Sequence, residues 1–218
     1  SQTGSRVSEH GSQAYKPFSH QVQALESWEA RERRGILHHA TGSGKTVTAL
    51  LAVQEALRRN ESVLIIVPSI LLLKQWKIEV FKVIKFPKPN VLVCGGGHSE
   101  WRTPGLLAEW TRKGTRPRIV LTTDATASDP VFLGRVRGGP HLMLVADEVH
   151  RLGSLGNRTI LQGKWGPRLG LSATPDRAGD LEGTKAIRDS FGDDLEPPFG
   201  IKEAIEKGRL CRYFYYPH

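Results

Sequence analysis

A glycine-rich stretch is the part of this sequence whose residue types and spacing carry the clearest chemistry. Residues 40–46 read ATGSGKT and follow the short apolar run of Ile36 and Leu37. Gly42 and Gly44 leave nearby backbone N–H groups unobstructed by side chains, so these groups can converge on phosphate oxygens. A turn of this kind between an apolar strand and a helix predicts a phosphate cradle.

Charged and hydroxyl side chains complete this chemistry at two places in the sequence. Lys45 adds a positive charge for the terminal phosphates of a nucleotide, and Thr46 supplies a hydroxyl that can ligate Mg²⁺. Asp147 and Glu148 follow the apolar run 142–146, and a buried parallel strand presents its ligands at its carboxyl end. Two adjacent acids often only cap a strand or face solvent, so it is the cradle upstream that favours catalysis.

The residues of these motifs resemble those of a known group of motor proteins. ATGSGKT resembles motif I of the superfamily 2 helicases and translocases, the DEAD/DEAH-like group with RecA-like folds, although the general P-loop pattern has glycine where this chain has His39. DEVH at residues 147–150 resembles motif II with Val149 in place of alanine, and SATP at residues 172–175 resembles motif III. The motifs occur in family order, and the resemblance covers residues 16–175.

The resemblance implies an ATP site and a role for each of its residues. The cradle and an adenine-reading glutamine would bind the nucleotide through Gln21, Thr41, Gly42, Ser43, Gly44, Lys45 and Thr46. Asp147 would hold Mg²⁺ together with Thr46. Glu148 would orient and deprotonate the attacking water, and Lys45 and Asp147 would complete the catalytic set.

The remaining motifs imply coupling between the ATP site and nucleic acid. The coupling residues would be His150, Ser172 and Thr174. PSILLLKQW, from Pro68 onward, resembles motif Ia, in which Ser69 would meet a phosphate at a helix N-terminus. The predicted strand 119–123 ends like motif Ib, where Thr123 is the first candidate for a phosphate contact and Thr122 the second.

Two details within the motifs favour a DNA-directed subfamily. Motif II ends in His150, where RNA-directed DEAD-box proteins have aspartate, and motif III has Ala173, where chromatin-remodelling relatives usually have glycine. The sequence is most similar to the group that contains type I and III restriction translocase subunits and the transcription and repair helicases. We therefore expect DNA rather than RNA as the partner.

The elements that must hold these residues are predicted from apolar periodicity and turn residues. Strands are expected around Ile36 and Leu37 and over Ser62–Val67, Asn90–Cys94, 119–123, 142–146 and 169–171. Helices are expected over 18–28 with Ser19 as the cap, over 47–59, after Pro68 and after Pro104. Together with the resemblance, these predict an α/β fold, a RecA-like P-loop NTPase domain with a mostly parallel central sheet and helices on both faces.

The length of 218 residues suits one such domain with tails. Residues 1–14 are polar and are expected to form a disordered lead-in to an ATP-binding domain over 15–218. Residues 199–216 resemble the family segment that closes the first motor domain with a helix and a final strand. Too few residues follow Thr174 for a second RecA-like domain of roughly 150 residues, so we expect that domain and its arginine finger elsewhere in a longer protein.

Composition adds weaker indications about partners and compartment. The formal net charge of +9 favours an anionic partner, although scattered solvated basic residues explain it equally well. Cys94 and Cys211 lack metal-ligand spacing and predict neither a zinc site nor a disulfide framework, which fits a reducing intracellular compartment. The apolar stretch 63–73 is interrupted by Pro68 and is too short for the ~20 residues of a membrane span, so we expect no membrane association.

Two other classes of protein share part of this pattern. A P-loop kinase or small-molecule ATPase has a cradle and a carboxylate but does not need PSILLLKQW or SATP. A non-catalytic DNA-binding module derived from a helicase would bind DNA without ATP dependence. The ordered motif set favours an ATP-dependent DNA helicase or translocase, whose first domain alone should hydrolyse ATP weakly.

Overall fold

A parallel six-stranded sheet forms the centre of the computed structural model, which describes residues 15–200. Its strands are β1 (Arg34–His38), β2 (Ser62–Val67), β3 (Asn90–Cys94), β4 (Arg118–Thr123), β5 (Leu142–Asp147) and β6 (Arg168–Ser172). They lie in the order β1-β6-β5-β2-β4-β3, and every neighbouring pair is parallel. The predicted α/β class with a RecA-like parallel sheet is confirmed.

Helices cover both faces of this sheet. They are α1 (Ser19–Ala30), α2 (Lys45–Arg58), α3 (Ile70–Val83), α4 (Leu106–Thr111), α5 (Asp124–Ala127), α6 (Pro130–Arg135) and α7 (Leu181–Phe191). Short 3₁₀ helices lie at Glu100–Arg102, Val149–Gly153 and Arg158–Gln162. Helices α1 to α3 pack on one face, and α4 to α7 contribute to a second core on the other.

The two cores follow from the alternation of side chains along each strand. In β2, Val63 and Ile65 belong to the core under α1 to α3, while Leu64 and Ile66 belong to the core on the opposite face. All six residues of β2 are buried. A strand buried on both faces reads as a continuous apolar run, which is why Ser62–Val67 could be identified from sequence.

Strand register brings three carboxyl ends to the same edge of the sheet. His38 at the end of β1 lies opposite Ser172 of β6, and Leu171 of β6 lies opposite Asp147 of β5. The loops that follow β1, β5 and β6 therefore leave the sheet side by side. This edge holds the cradle, the paired acids and SATP, and we refer to it as the functional edge.

The outer edge of β1 is covered by the segment 193–199, for which no strand or helix was predicted. The N–H of Ile36 donates to the carbonyl of Asp193 at 3.0 Å, and the N–H of Leu195 donates to the carbonyl of Ile36 at 2.8 Å. Farther along, the N–H of Ala40 donates to the carbonyl of Phe199 at 2.7 Å. The segment thus occupies backbone groups that an exposed sheet edge would leave unpaired.

Some boundaries differ from those predicted. Ser19 is not the cap of α1: the helix begins at Ser19 and Phe18 precedes it, with the Phe18 N–H donating to the Gln21 side chain at 2.9 Å. Helix α2 begins at Lys45 rather than at residue 47, because Gly44 adopts a left-handed conformation immediately before it.

The expected lead-in 1–14 and most of the closing segment 199–216 lie outside the described residues. Among residues 15–200, none of the helices combines the length and apolar character needed to cross a bilayer.

Gly35 should be intolerant of a side chain because β1 and the segment 193–199 approach closely there. A Cβ atom at this position would lie 2.2 Å from a methyl carbon of Leu195. Gly35→Ala should lower the free energy of unfolding by about 1–3 kcal/mol, measured by chemical denaturation. Gly134→Ala is the matched control, since a Cβ there meets no atom within 4 Å. Equal stability of the two variants would contradict the packing described here.

Candidate functional site

The loop between β1 and α2 has a backbone that only glycine adopts readily. Gly42 and Gly44 have φ angles of 81° and 89°, in the left-handed region. A Cβ at Gly44 would also lie 2.9 Å from the side-chain nitrogen of Gln21. No hydrogen bond within residues 15–200 uses the N–H groups of Gly44, Lys45 or Thr46. These groups are therefore available to an anion at the start of α2.

The other predicted cradle residues line the same loop. Thr41 is exposed, Thr46 is half-buried, and Ser43 is buried with a hydroxyl that has no partner among the described residues. A loop with left-handed glycines at two positions and free N–H groups, followed by a threonine hydroxyl, fits a bound polyphosphate.

Gln21 lies directly beneath this loop. Its side-chain nitrogen donates to the carbonyl of Gly44 at 3.3 Å, and its side-chain oxygen accepts from Phe18 N–H and from the Tyr15 hydroxyl. The side chain is fully buried. The contact with Gly44 ties the cradle to α1, while the other two hold the side chain in place from the residues before the helix. The predicted adenine contact of Gln21 stays a prediction.

Lys45 lies between the cradle and the two acids. Its ammonium group donates to the carbonyl of His39 at 2.8 Å. Burial lowers the pKa of Lys45 from its ordinary value, and the negative charges of Glu148 and Asp147 act in the opposite direction. The three side chains that the sequence predicted to meet therefore lie within reach of one another's charge.

Asp147 is held by a buried tryptophan of α3. Trp76 is buried, as expected for a core residue, but its indole N–H also donates to a carboxylate oxygen of Asp147 at 2.9 Å. Burial raises the pKa of Asp147, while this hydrogen bond lowers it and the charge of Glu148 raises it further. The carboxylate and the hydroxyl of Thr46 are the hard oxygen ligands that Mg²⁺ prefers, so these residues fit that metal.

Glu148 has an unusual backbone conformation for a residue with a side chain. Its φ of 49° lies in the left-handed region, where non-glycine residues are strained and often functional. The Glu148 N–H donates to the carboxylate of Asp147 at 3.1 Å. The turn that carries Glu148 thus begins directly after Asp147, the last residue of β5.

His150 joins DEVH to SATP. Its Nδ1 lies 3.1 Å from the hydroxyl of Ser172 and 3.4 Å from a carboxylate oxygen of Glu148. The Ser172 hydroxyl also accepts from the N–H of Thr174 at 3.0 Å, and Thr174 itself is exposed. The structure therefore brings the three predicted coupling residues together; that they couple remains a prediction.

The predicted nucleic-acid contacts are engaged within the protein. The Ser69 hydroxyl caps α3 by accepting from the N–H of Leu72 at 3.3 Å, and the Thr123 hydroxyl caps α5 by accepting from the N–H of Thr126 at 3.3 Å. Thr122 is completely buried in β4. Ser69 lies just beyond the end of β2, and Thr123 is the last residue of β4, both at the functional edge. Their phosphate contacts stay predictions.

Aromatic side chains for which no supporting role was predicted pack against the cradle on its protein side. His20 donates to the carbonyl of Ser43 at 3.2 Å and stacks on Phe199 with ring centres 4.1 Å apart. His39 donates to the carbonyl of Pro197 at 3.2 Å. A role for His20 near the cradle could have been predicted from its position one residue before Gln21. The contact of Phe199 could not, because it depends on the path of the chain after α7.

Comparison with known proteins places the chain in a family. Residues 14–177 match the family described as "Type III restriction enzyme, res subunit". The DNA 3′-5′ translocase XPB2 of Sulfurisphaera tokodaii is 35% identical over 159 residues, which are 72% of this chain and 30% of that protein. The chain thus spans less than a third of that relative's length.

Solved structures of helicases and restriction enzymes share the fold. The type ISP restriction-modification enzyme LlaGI, solved with a DNA substrate mimic, has a TM-score of 0.65 and 19% identity, covering 89% of this chain and 21% of that one. The UvsW helicase of bacteriophage T4 has a TM-score of 0.58 and 22% identity, covering 84% and 61%. The L327V variant of S. cerevisiae Dbp5, bound to RNA and ADP BeF3, has a TM-score of 0.61 and 17% identity, covering 83% of this chain and 46% of that one.

Acid should destabilise the protein through His39, which lies under the cradle. Burial lowers its pKa from 6.5 to about 4; the charges of His20, Lys45 and His38 add to the shift, and the carbonyl of Pro197 opposes it. The unfolded chain binds a proton that the folded chain excludes. The contribution of neutral His39 to the free energy of unfolding is therefore fully present above pH 6.5. It is lost as the pH falls towards 4, by up to about 3 kcal/mol.

Denaturation curves measured at several pH values test this prediction. His39→Gln should flatten the decline by removing the group that titrates, whereas His98→Gln, at an exposed position, should keep the wild-type slope. An unchanged slope in His39→Gln would show that another group causes the acid sensitivity.

Proposed function

The chain belongs to the family of the type III restriction enzyme res subunit, among the superfamily 2 helicases and translocases, and we propose that it is the first motor domain of an ATP-dependent DNA translocase or helicase. ATP is bound and hydrolysed with Mg²⁺ at the carboxyl edge of β1, β5 and β6. DNA is tracked along the same edge near the ends of β2 and β4.

One observation carries the proposal. Lys45, at the start of α2, and the acids Asp147 and Glu148, at the end of β5, are distant in the sequence yet share one electrostatic environment. A half-buried ammonium group facing two carboxylates beside free backbone N–H groups suits a metal-bound triphosphate, whose charges complement both sides.

Each residue of the site has a part in the proposed reaction. The N–H groups of Gly44 to Thr46 bind phosphate oxygens, and Lys45 leaves the carbonyl of His39 to reach the terminal phosphates. Thr46 and Asp147 hold Mg²⁺, which when bound neutralises phosphate charge. Glu148 orients the attacking water and accepts its proton.

Two observations support DNA as the polymer along which the protein moves. One relative is named a DNA translocase, and the net charge of the chain is positive. Phosphoryl transfer also gains about 10³ to 10⁵ in rate from an arginine opposite the terminal phosphate. We propose that a second RecA-like domain of the full-length protein supplies this arginine, as well as the other half of the ATP site. The domain described here should therefore hydrolyse ATP feebly by itself.

ATPase measurements on the full-length protein test the function. Rates are compared with no polymer, double-stranded DNA, single-stranded DNA and RNA. DNA should stimulate turnover more than RNA. Glu148→Gln should retain nucleotide binding and lower kcat by about 10² or more, because it removes the proton acceptor, whereas Lys45→Ala should weaken binding itself.

Glu26→Gln is the matched control, since Glu26 is an exposed glutamate on α1. Its activity should equal that of the wild type. Turnover that ignores every polymer would favour a P-loop ATPase of another kind, and DNA binding without any ATPase would favour a non-catalytic module. Full activity in both Glu148→Gln and Lys45→Ala would refute the site.

A further inference from the structure

An ion pair crosses the functional edge between α5, which directly follows β4, and the 3₁₀ helix Val149–Gly153 after β5. The guanidinium Nε of Arg151 donates to a carboxylate oxygen of Asp124 at 2.8 Å. The Asp124 side chain is 7% exposed, whereas that of Arg151 is 47% exposed. A carboxylate that is so deeply buried needs a partner, so this contact fixes where the arginine lies.

The Asp124 end of the pair is rigid and adjoins a predicted phosphate contact. Its second carboxylate oxygen accepts from the N–H of Ala125 at 2.8 Å. Asp124 directly follows Thr123, whose hydroxyl caps the same short helix. A displacement of the Thr123 backbone must therefore carry the carboxylate with it.

The Arg151 end of the pair belongs to the short 3₁₀ helix after the catalytic acids. The Arg151 N–H donates to the carbonyl of Glu148 at 2.9 Å, so the arginine is tied to the backbone of the proposed base. Its neighbour His150 faces both Glu148 and Ser172. Movement of Arg151 is thus transmitted to the residues that align the water and sense the nucleotide.

No second hydrogen bond or ion pair within residues 15–200 connects segment 122–129 with segment 147–153. Strand β2 lies between β4 and β5 in the sheet, so the two loops are not strand neighbours. A single side-chain bridge therefore spans the carboxyl end of β2. Its loss would leave the two segments connected through the sheet and through the apolar core that holds Ala127, Val149 and Leu152.

We infer that the Asp124–Arg151 pair positions the DEVH turn relative to the DNA-contacting loop and thereby couples DNA binding to ATP hydrolysis. The inference rests on the proposed function. When a DNA phosphate settles against the Thr123 loop, the rigid carboxylate moves with it and sets the turn that carries Glu148. Asp124 and Arg151 are positioning residues, since neither one touches the reacting atoms.

A double-mutant cycle on the full-length protein tests this inference through the ratio of DNA-stimulated to unstimulated ATPase rates. Asp124→Asn and Arg151→Met should each lower the ratio about fivefold or more, within the usual range of coupling between sites. The double variant should lose no more than the single variants, because both break the same contact. Arg151→Lys keeps the charge and should restore most of the ratio.

Asp189→Asn is the matched control. It breaks a 2.6 Å ion pair with Lys185 on the exposed face of α7 and should leave the ratio unchanged. Thermal melting identifies any variant that is unfolded. If a single variant is unfolded, the ATPase ratio is compared in Arg151→Lys and the double variant, because neither of them buries an unpaired charge.

Additive losses, or a full ratio in folded variants, would overturn the inference while the proposed function stands. A ratio lowered equally by Asp189→Asn would also overturn it, because the effect would then not be specific to this pair. A wild-type protein that DNA does not stimulate would instead overturn the proposed function itself.

Discussion

The alignment of three strand ends is the constraint on which the rest of this molecule depends. Parallel pairing through β6 sets the end of β5 and the end of β1 at the same level, and the loops that follow must then share one edge. Lys45 and the two acids meet because of that register. Each of these groups would be costly to bury alone, and their mutual charge makes the half-buried arrangement tolerable.

The conformation of the cradle depends on side chains packed against it as well as on its own glycines. Carbonyl oxygens of the loop are bound from the protein side: Gln21 binds that of Gly44, His20 that of Ser43, and Lys45 that of His39. With these carbonyls satisfied, the free N–H groups at the start of α2 are left for a ligand. The edge segment ending at Phe199 holds the histidines in place, so the strand edge and the nucleotide pocket are stabilised together.

The sequence predicted those parts of the fold and site that depend on residues close together in the chain. Continuous apolar runs identified the buried strands, and the glycine-rich loop and the acids after β5 identified the functional edge. Three contacts could not be predicted in the same way: Trp76 with Asp147, Phe199 with His20, and Asp124 with Arg151. Each depends on how a helix is rotated or where a distant loop returns, which spacing along the chain does not determine.

The most direct test of the central claim is a crystal structure with a non-hydrolysable ATP analogue and Mn²⁺, in which anomalous scattering locates the metal. If the site is as proposed, one strong peak lies between the Thr46 hydroxyl and the Asp147 carboxylate, with Lys45 on the terminal phosphate and Glu148 facing its outer side. A metal bound elsewhere, or a nucleotide that leaves Lys45 on the carbonyl of His39, would contradict it.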